Sequence, residues 1–296
     1  MVIEINESLE LSTETVLGEI LALHRDISVM SDDEILYGPL DQSGKLFRQL
    51  DYLITMDIEN DAALEILQKK ELDPVFADLS RFRSLYTVRI ETEHANEILE
   101  SNSPWDALEK FPFYGNYLKL VRTEYEGLRL SPRDRVFFLG SGPLPLTLII
   151  FFRQHGVKST GIEQDSSRAN LSKRVLEKLG LSEAVTIING NHFSLNGEGF
   201  ALNLDTGIKA LMIAAQAEPK KEILDHLFKV MPVGSRISCR IYEKGLMKLL
   251  NRNCLSDLPE GFKELGRVYP EPPVYNTVVF LKKKGKSFSR LCSSQA

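Results

Sequence analysis

The chain has 296 residues, of which 43% are hydrophobic and 26% charged, as is ordinary for a soluble globular protein. This length suits one large or two ordinary domains. The net charge of −5 does not favour a nucleic-acid or membrane-surface partner. The three cysteines, Cys239, Cys254 and Cys292, form neither a metal-binding spacing nor an even disulfide set, so we expect a reducing, cytoplasmic environment.

We expect neither a targeting segment nor a membrane-spanning segment in this sequence. Residues 1–10 contain three glutamates and no basic stretch, so we do not expect a signal peptide. The longest apolar run, residues 144–152, is far shorter than a membrane span, so no membrane partner is expected. The chain becomes locally basic from Lys282, and residues 285–296 are predicted to be a flexible tail.

Residues 1–130 contain no convincing strand pattern. Apolar residues recur at helical spacing from Val16 to Ile27, and Ser31 with Glu34 forms a capping box that begins a second helix. Further helical stretches are predicted around residues 46–54 and 62–67. Residues 1–130 are therefore predicted to be an all-helical N-terminal domain, which we expect to contribute to the active site.

Glu91 lies in line with apolar residues on a helix predicted from about Arg81 to Glu100. A carboxylate in such a stripe is costly unless it is paired, and its pKa tends to rise. Such a group is a candidate general base. The alternative is that Glu91 lies at the edge of the stripe or bonds to an arginine such as Arg89 or Arg81.

An aromatic cluster follows this helix, and Pro112 is expected to kink or end a helix within it. The pattern alone predicts that these aromatic residues pack the helical domain onto the next domain. A buried tyrosine also needs a partner for its hydroxyl group. The cluster consists of Phe111, Phe113, Tyr114 and Tyr117.

A short apolar run at residues 136–139 ends at the turn Gly140–Gly142, and a longer apolar run follows from Leu144. This order predicts a buried strand, a tight glycine turn and a helix, which is the first unit of a doubly wound α/β domain. A dinucleotide site would need a third glycine and free N–H groups, but Pro143 and Pro145 stand here. The turn therefore argues against NAD and favours a ligand such as S-adenosylmethionine.

Glu163 supports this interpretation. It stands at the end of a second predicted strand, 21 residues after Gly142. An acid at about that distance accepts hydrogen bonds from both hydroxyl groups of a ribose.

The pattern from residue 133 onward alternates between strands and helices and ends with a predicted β-hairpin. We expect strands at residues 135–139, 157–163, 184–188, 208–215, 236–242 and 274–281, with a pairing partner for the last strand near residues 267–269. Residues 131–284 are therefore predicted to form a Rossmann-like α/β domain of the adenosylmethionine-dependent methyltransferase type. The all-helical domain precedes it.

Four sequence blocks are similar to the nicotianamine synthase family, and the resemblance is densest between Glu91 and Leu250. The chain resembles the archaeal members most closely, and residues 1–80 resemble the family only as a helical domain of the right length. The blocks are E-S-N-S-P-W (100–105), F-x-F-Y-x-x-Y-L (111–118), G-S-G-P-L-P-L-T (140–147) and A-A-Q-A-E-P-K (214–220).

The resemblance implies unusual chemistry. Such enzymes use S-adenosylmethionine as the donor of its aminocarboxypropyl group, release 5′-methylthioadenosine and make a nicotianamine-like metal chelator. The implied acceptor is the amine of an amino acid, glutamate in archaeal members. The metal would belong to the product, so no protein-bound metal is expected.

The resemblance also implies roles for individual residues. Glu91 matches the catalytic base and Tyr117 the active-site tyrosine that holds the amine. Arg240 is implied to contact a substrate carboxylate, and the alternative for it is a structural ion pair. The implied donor-binding residues are Gly140, Ser141, Gly142 and Leu144 for the methionine and ribose portion, Glu163 for the ribose and Asn191 for the adenine; the implied substrate-carboxylate contacts are Arg240 and Tyr242.

Two features depart from the family pattern. Asn191 and His192 follow Gly190 where archaeal members have an acid, and the segment 197–206 is longer than usual. Two other functions stay open, an ordinary small-molecule methyltransferase and a non-catalytic nucleotide-binding protein. The sequence does not define the acceptor, the number of transfers or the oligomeric state, with a homodimer among the alternatives.

Overall fold

The computed structural model describes residues 12–56, 58, 60–195, 208–251 and 259–285. Within these residues, the part of the chain before Arg135 forms helices and no strand. The predicted capping box is present, with Ser31 and Glu34 satisfying each other's backbone N–H groups. The helices are α1 (Thr13–Ser28), α2 (Asp32–Tyr37), α3 (Leu40–Thr55), α4 (Asn60–Gln68), α5 (Asp73–Glu100), α6 (Pro104–Glu109) and α7 (Tyr114–Leu128).

A seven-stranded sheet follows, in the order β3-β2-β1-β4-β5-β7-β6. Strands β1 to β5 are parallel, and β7 is antiparallel to both of its neighbours. The strands are β1 (Arg135–Leu139), β2 (Lys158–Glu163), β3 (Val185–Asn189), β4 (Ile208–Ile213), β5 (Arg236–Ile241), β6 (Phe262–Val268) and β7 (Thr277–Lys283); the helices among them are α8 (Leu146–His155), α9 (Ser166–Lys178) and α10 (Lys220–Val230). The predicted Rossmann-like fold with its closing β-hairpin is confirmed.

Strand β1 lies at the centre of the parallel part of the sheet. It pairs with β2 on one side and with β4 on the other, and Leu139 is level with Ile162 and Ile213. Strand order reverses here, because β2 and β3 continue to one side and β4 and β5 to the other. Open α/β sheets bind ligands at this position, outside the carboxyl ends of the strands.

Helix α5 begins at Asp73, eight residues earlier than the sequence predicted. The stretch Leu72-Asp73-Pro74 has the pattern of a helix break, but Pro74 lies in the first turn of the helix, where its missing N–H group costs nothing. Pro104 likewise lies in the first turn of α6. A proline therefore marks a helix boundary but does not show on which side of it the helix lies.

Helix α5 runs past the carboxyl ends of the strands and connects the helical layer to the sheet. Ser80 donates a hydrogen bond to the carbonyl of Leu250 at 3.1 Å, within a short 3-10 helix (Gly245–Asn251) that follows β5. Further along α5, Glu91 reaches the turn after β1. The apolar side chains of α1 to α5 share one core with this 3-10 helix, so the helical layer is packed onto the rim of the sheet.

Several sequence expectations fall outside the described residues, including those for the segment 197–206, for Cys254, for Cys292 and for the tail beyond Gly285. Cys239 is buried and forms no disulfide bond with another described residue. No helix in the described part of the chain has the length and apolar character needed to cross a membrane.

The packing of α7 on the sheet predicts a strong effect of one glycine substitution. A methyl group at Gly127 would overlap the ring of Phe280 on β7, which is 5% exposed. We expect Gly127→Ala to lower the free energy of unfolding by about 1–3 kcal/mol, as overpacking does. Denaturant unfolding followed by circular dichroism measures this change.

Gly18→Ala is the matched control, because nothing lies within 4 Å of the added methyl group in α1. It should stabilise the protein by about 0.5–1 kcal/mol through helix propensity. Equal effects of the two substitutions would contradict the proposed packing of α7 on β7.

Candidate active site

All of the residues that the sequence analysis selected line a single cavity at the carboxyl ends of β1 to β5. They come from the helical layer (Glu91, Tyr117), from the turn after β1 (Gly140, Ser141, Gly142, Leu144), from the ends of β2 and β3 (Glu163, Asn191) and from the end of β5 (Arg240, Tyr242). The structure thus brings these residues together, while their individual roles stay predictions.

The turn after β1 needs glycine at two positions. Gly140 and Gly142 have φ angles of +81° and +69°, which other residues rarely adopt. A Cβ atom at Gly142 would also lie 2.7 Å from the Oε2 atom of Glu91. The absence of a side chain is therefore what lets the Glu91 carboxylate approach the turn.

Glu91 is half-buried at the cavity wall and has no cationic hydrogen-bond partner among the described residues. Its Oε1 atom accepts a hydrogen bond of 3.3 Å from the Tyr117 hydroxyl, longer than most O–H···O bonds. Burial raises the pKa of Glu91 to about 8, while the Tyr117 hydrogen bond lowers it, the charge of Glu163 raises it and the charge of Arg168 lowers it. A carboxyl group with such a pKa can accept and release a proton near neutral pH.

The alternative of an ion pair to a neighbouring arginine is wrong. Arg89 instead bonds to Glu93 and to the backbone carbonyls of Ile35 and Gly38, at the end of α2 and just after it. Arg81 pairs with Asp32. Glu91 therefore faces the cavity with Tyr117 as its hydrogen-bond partner.

Tyr117 is positioned by α7 and by the aromatic cluster around Phe111. Burial and the adjacent negative charge of Glu91 raise the pKa of the Tyr117 hydroxyl. Tyr117 is consequently a neutral O–H donor at physiological pH. As predicted, Pro112 separates two helices here, α6 and α7.

Glu163 ties the ends of β1 and β2 together. Its two carboxylate oxygens accept hydrogen bonds from the backbone N–H groups of Gly142 and Asp165, each at 3.0 Å. Glu163 is 5% exposed but borders the cavity. Each oxygen has a further lone pair for a ligand hydroxyl group, so the predicted ribose contact fits this geometry.

Two polar side chains of the cavity, one after β1 and one after β3, differ in how they are hydrogen-bonded. The hydroxyl of Ser141 is buried and has no hydrogen-bond partner. The side chain of Asn191 caps a short 3-10 helix (His192–Ser194) by accepting a 3.0 Å hydrogen bond from the N–H of Phe193. The loop after β3 is thus held in shape by the residue that we predicted to contact adenine.

Arg240 forms the structural ion pair that the sequence left open as the alternative. Its guanidinium donates to both carboxylate oxygens of Glu124, at 3.1 and 2.6 Å, and to the hydroxyl of Thr147 at 3.1 Å. Glu124 has no exposed surface. This pairing gives no support to a substrate-carboxylate contact at Arg240.

Sequence reasoning missed Glu124 and Arg83, although each carried a signal. Glu124 lies seven residues after Tyr117, on a face of α7 that is otherwise apolar. Arg83 lies eight residues before Glu91, which places it on the same face of α5. The Arg83 guanidinium donates to the hydroxyl of Tyr242 at 3.2 Å, so it holds the other predicted substrate contact.

The loop after β4 depends on a buried lysine that was also missed. Lys220 is 1% exposed, and its ammonium donates to the carbonyls of Ala214, Ala215 and Ala217 at 2.7–3.0 Å. It also bonds to Glu218 at 3.2 Å. These bonds fix the loop that packs against Gly140.

Comparison with known proteins places this site in a family. A family model for "Nicotianamine synthase protein" matches residues 9–288. Nicotianamine synthase 2 of Arabidopsis thaliana is 30% identical over 201 residues, which cover 66% of this chain and 62% of the relative. Nicotianamine synthase 2 of Oryza sativa subsp. japonica is 28% identical over 216 residues, which cover 70% of this chain and 65% of the relative.

The chain thus spans slightly less than two thirds of the length of these curated relatives. Both are plant proteins, and they do not support the expectation of a closer likeness to archaeal members.

Two solved structures cover almost the whole chain. A glutamate-to-glutamine mutant of MtNAS in complex with S-adenosylmethionine has a TM-score of 0.77 and 28% identity, and covers 90% of this chain and 98% of that one. MtNAS in complex with MTA and tNA has a TM-score of 0.73 and 27% identity, and covers 92% and 97%.

The raised pKa of Glu91 predicts a pH-dependent stability difference for Glu91→Gln. The unfolded chain releases this proton near pH 4.5 and the folded protein near pH 8, so the folded state binds more protons between these values. Wild-type stability therefore falls as the pH rises through this window, whereas glutamine has no proton to lose.

We expect the melting temperature of Glu91→Gln to rise relative to wild type by on the order of 5 °C between pH 5 and pH 8.5. Thermal unfolding of both proteins across this range measures the difference. A difference that stays constant with pH would show that Glu91 is not held protonated by burial.

Proposed function

Because the chain belongs to the nicotianamine synthase family, we propose that it transfers the 3-amino-3-carboxypropyl group of S-adenosylmethionine to the amine of an amino-acid acceptor. The reaction releases 5′-methylthioadenosine and builds a nicotianamine-like metal chelator. The observation that carries this proposal is the Glu91 carboxylate, held against the glycine turn with a pKa raised to about 8.

The names of the relatives support this reaction. The curated relatives are nicotianamine synthases. Among the solved structures of MtNAS, one contains S-adenosylmethionine and another contains MTA and tNA. In our proposal this chain binds the same donor and releases the same nucleoside.

The donor half of the cavity fits S-adenosylmethionine. The turn Gly140–Gly142 lets the backbone approach the methionine and ribose portion, and the free hydroxyl of Ser141 offers a hydrogen bond there. Glu163 lies at the end of the next strand, where it would accept the ribose hydroxyl groups. The loop at Asn191 would border the adenine.

The sulfonium of a bound donor would also change the pKa of Glu91. A positive charge close to a carboxylate favours its ionised form, so donor binding would lower the pKa of Glu91 from about 8 toward neutrality. The base would then be ionised when the donor is in place, and largely protonated at neutral pH when it is absent.

In the proposed step, Glu91 takes a proton from the acceptor ammonium, and the resulting amine attacks the carbon next to the sulfonium. A C–N bond forms, the C–S bond breaks and the sulfur keeps the electron pair, so 5′-methylthioadenosine leaves as a neutral molecule. The Tyr117 hydroxyl, 3.3 Å from Glu91, would hold the amine in line with that carbon.

The product identifies the reaction. We would incubate the protein with S-adenosylmethionine, with and without L-glutamate, and analyse the released nucleoside and conjugate by mass spectrometry. We expect methylthioadenosine and an amino acid that carries one or more aminocarboxypropyl units. S-adenosylhomocysteine would instead reveal a methyltransferase, and release of neither product despite tight donor binding would indicate a non-catalytic binding protein.

The same assay tests the base. Glu91→Gln should retain binding of S-adenosylmethionine but slow the transfer by about 10²–10⁴-fold, the usual contribution of a general base. Calorimetry measures the binding, and release of methylthioadenosine measures the rate. Full activity of this variant would remove Glu91 from the mechanism.

The pH profile gives an independent check. Because kcat/KM for the donor reports the free enzyme, it should rise with pH through an apparent pKa near 8. In Tyr117→Phe the rise should move to higher pH, since the lost hydrogen bond no longer favours the ionised carboxylate. An unchanged profile would mean that the titrating group is not the one bonded to Tyr117.

A further inference from the structure

One face of helix α5 continues beyond the base. Arg83, Thr87 and Glu91 are spaced by four residues, and all three line the same cavity. Eight residues of helix separate the Cα atoms of Arg83 and Glu91 by about 12 Å along the axis, at 1.5 Å per residue. A cation and a base therefore face one cavity at a fixed separation.

The Arg83 guanidinium is buried and incompletely bonded. Arg83 is 9% exposed. Its Nη1 atom donates to the Tyr242 hydroxyl and its Nη2 atom to the Asp51 carboxylate, each at 3.2 Å. Its Nε–H group is buried and has no partner. A buried donor without an acceptor is costly, which points to an anionic ligand group at this position.

The other two arginines of the cavity do not suit this role. Arg240 is fully engaged with buried Glu124 and with Thr147. Arg168 follows Glu163 on the next helix, at the end of the cavity where the glycine turn and β2 would hold the donor. Among the cavity-lining residues that the structure describes, Arg83 is the remaining arginine.

Arg83 belongs to the half of the cavity that the donor would leave free. The donor would occupy the ends of β1, β2 and β3, whereas Arg83 contacts Tyr242 at the end of β5. The acceptor must place its amine at Glu91 and extend away from the donor. Its other end then approaches Arg83.

We propose that Arg83 binds a carboxylate of the acceptor and thereby selects amino acids whose second carboxylate is remote from the reacting amine. This inference rests on the proposed function. The γ-carboxylate of glutamate has this chemistry, as does the same carboxylate in a conjugate that already carries one aminocarboxypropyl unit. Arginine binds carboxylates through two parallel N–H groups, which makes the selection directional.

The test compares L-glutamate with L-glutamine, which replaces the second carboxylate by a neutral amide of the same shape. Calorimetry on the protein saturated with methylthioadenosine measures binding of both probes without any turnover. We expect wild type to bind L-glutamate at least tenfold more tightly than L-glutamine. Arg83→Gln should abolish this preference, and Arg83→Lys should retain part of it.

Asp51→Asn is the matched control, because it breaks the same ion pair from the other side. If Arg83 serves only to pair with Asp51, both variants lose stability and neither changes the preference for L-glutamate. If Arg83 binds the acceptor, Asp51→Asn keeps or increases the preference, since it releases an N–H group and removes a competing negative charge.

Two results would overturn the inference: wild type without a preference for L-glutamate, or an Arg83→Gln variant that retains it. The assay for methylthioadenosine separates this failure from that of the proposed function. Nucleoside release with an unchanged preference in Arg83→Gln rejects the Arg83 subsite alone. No nucleoside release, with a preference that Arg83→Gln abolishes, rejects the reaction and leaves the carboxylate subsite in place.

Discussion

The site depends on a half-buried carboxylate, that of Glu91, which has no cation bonded to it among the described residues. The nearby arginines are directed elsewhere, Arg89 to Glu93 and Arg240 to Glu124. If either guanidinium were unpaired and close to Glu91, it would lower the pKa of Glu91, keep the carboxylate ionised and make it a weaker base. Glu124 therefore matters to the site although it does not line the cavity, because it neutralises the Arg240 guanidinium that lies over the ring of Tyr117.

Helix α5 fixes the position of the Glu91 carboxylate in the cavity. Its early turns bond to the segments that follow β5, through Ser80 and Arg83, and a later turn brings Glu91 to the glycine turn after β1. The helix thus crosses the point where strand order reverses, which is where the fold binds ligands. A raised pKa of Glu91 lowers stability at neutral and higher pH, so the proposed role as a base and the stability of the fold make opposite demands on this one side chain.

Much of the fold could be predicted from local patterns. Bounded apolar runs predict strands, and a Gly-x-Gly sequence between a strand and a helix is enough to predict the turn that joins them. The position of Glu91 in an apolar stripe likewise predicted a carboxylate with a raised pKa. The ion pair of Arg240 with Glu124 could not be predicted in the same way, since 116 residues separate the partners and only the fold joins them. The predicted start of α5 was wrong because a proline such as Pro74 is found both where a helix breaks and in the first turn of a helix.

The two halves of the cavity are built by different means, and this has a consequence for specificity. The half that we propose for the donor is shaped by backbone, in a glycine turn packed against a loop whose carbonyls are held by Lys220. The half that we propose for the acceptor is shaped by side chains, with Arg83 and Tyr242 at its far end. Backbone contacts change little when residues are substituted, whereas a single side chain can alter which charge fits. Changes of acceptor should therefore arise in the second half, while the donor stays the same.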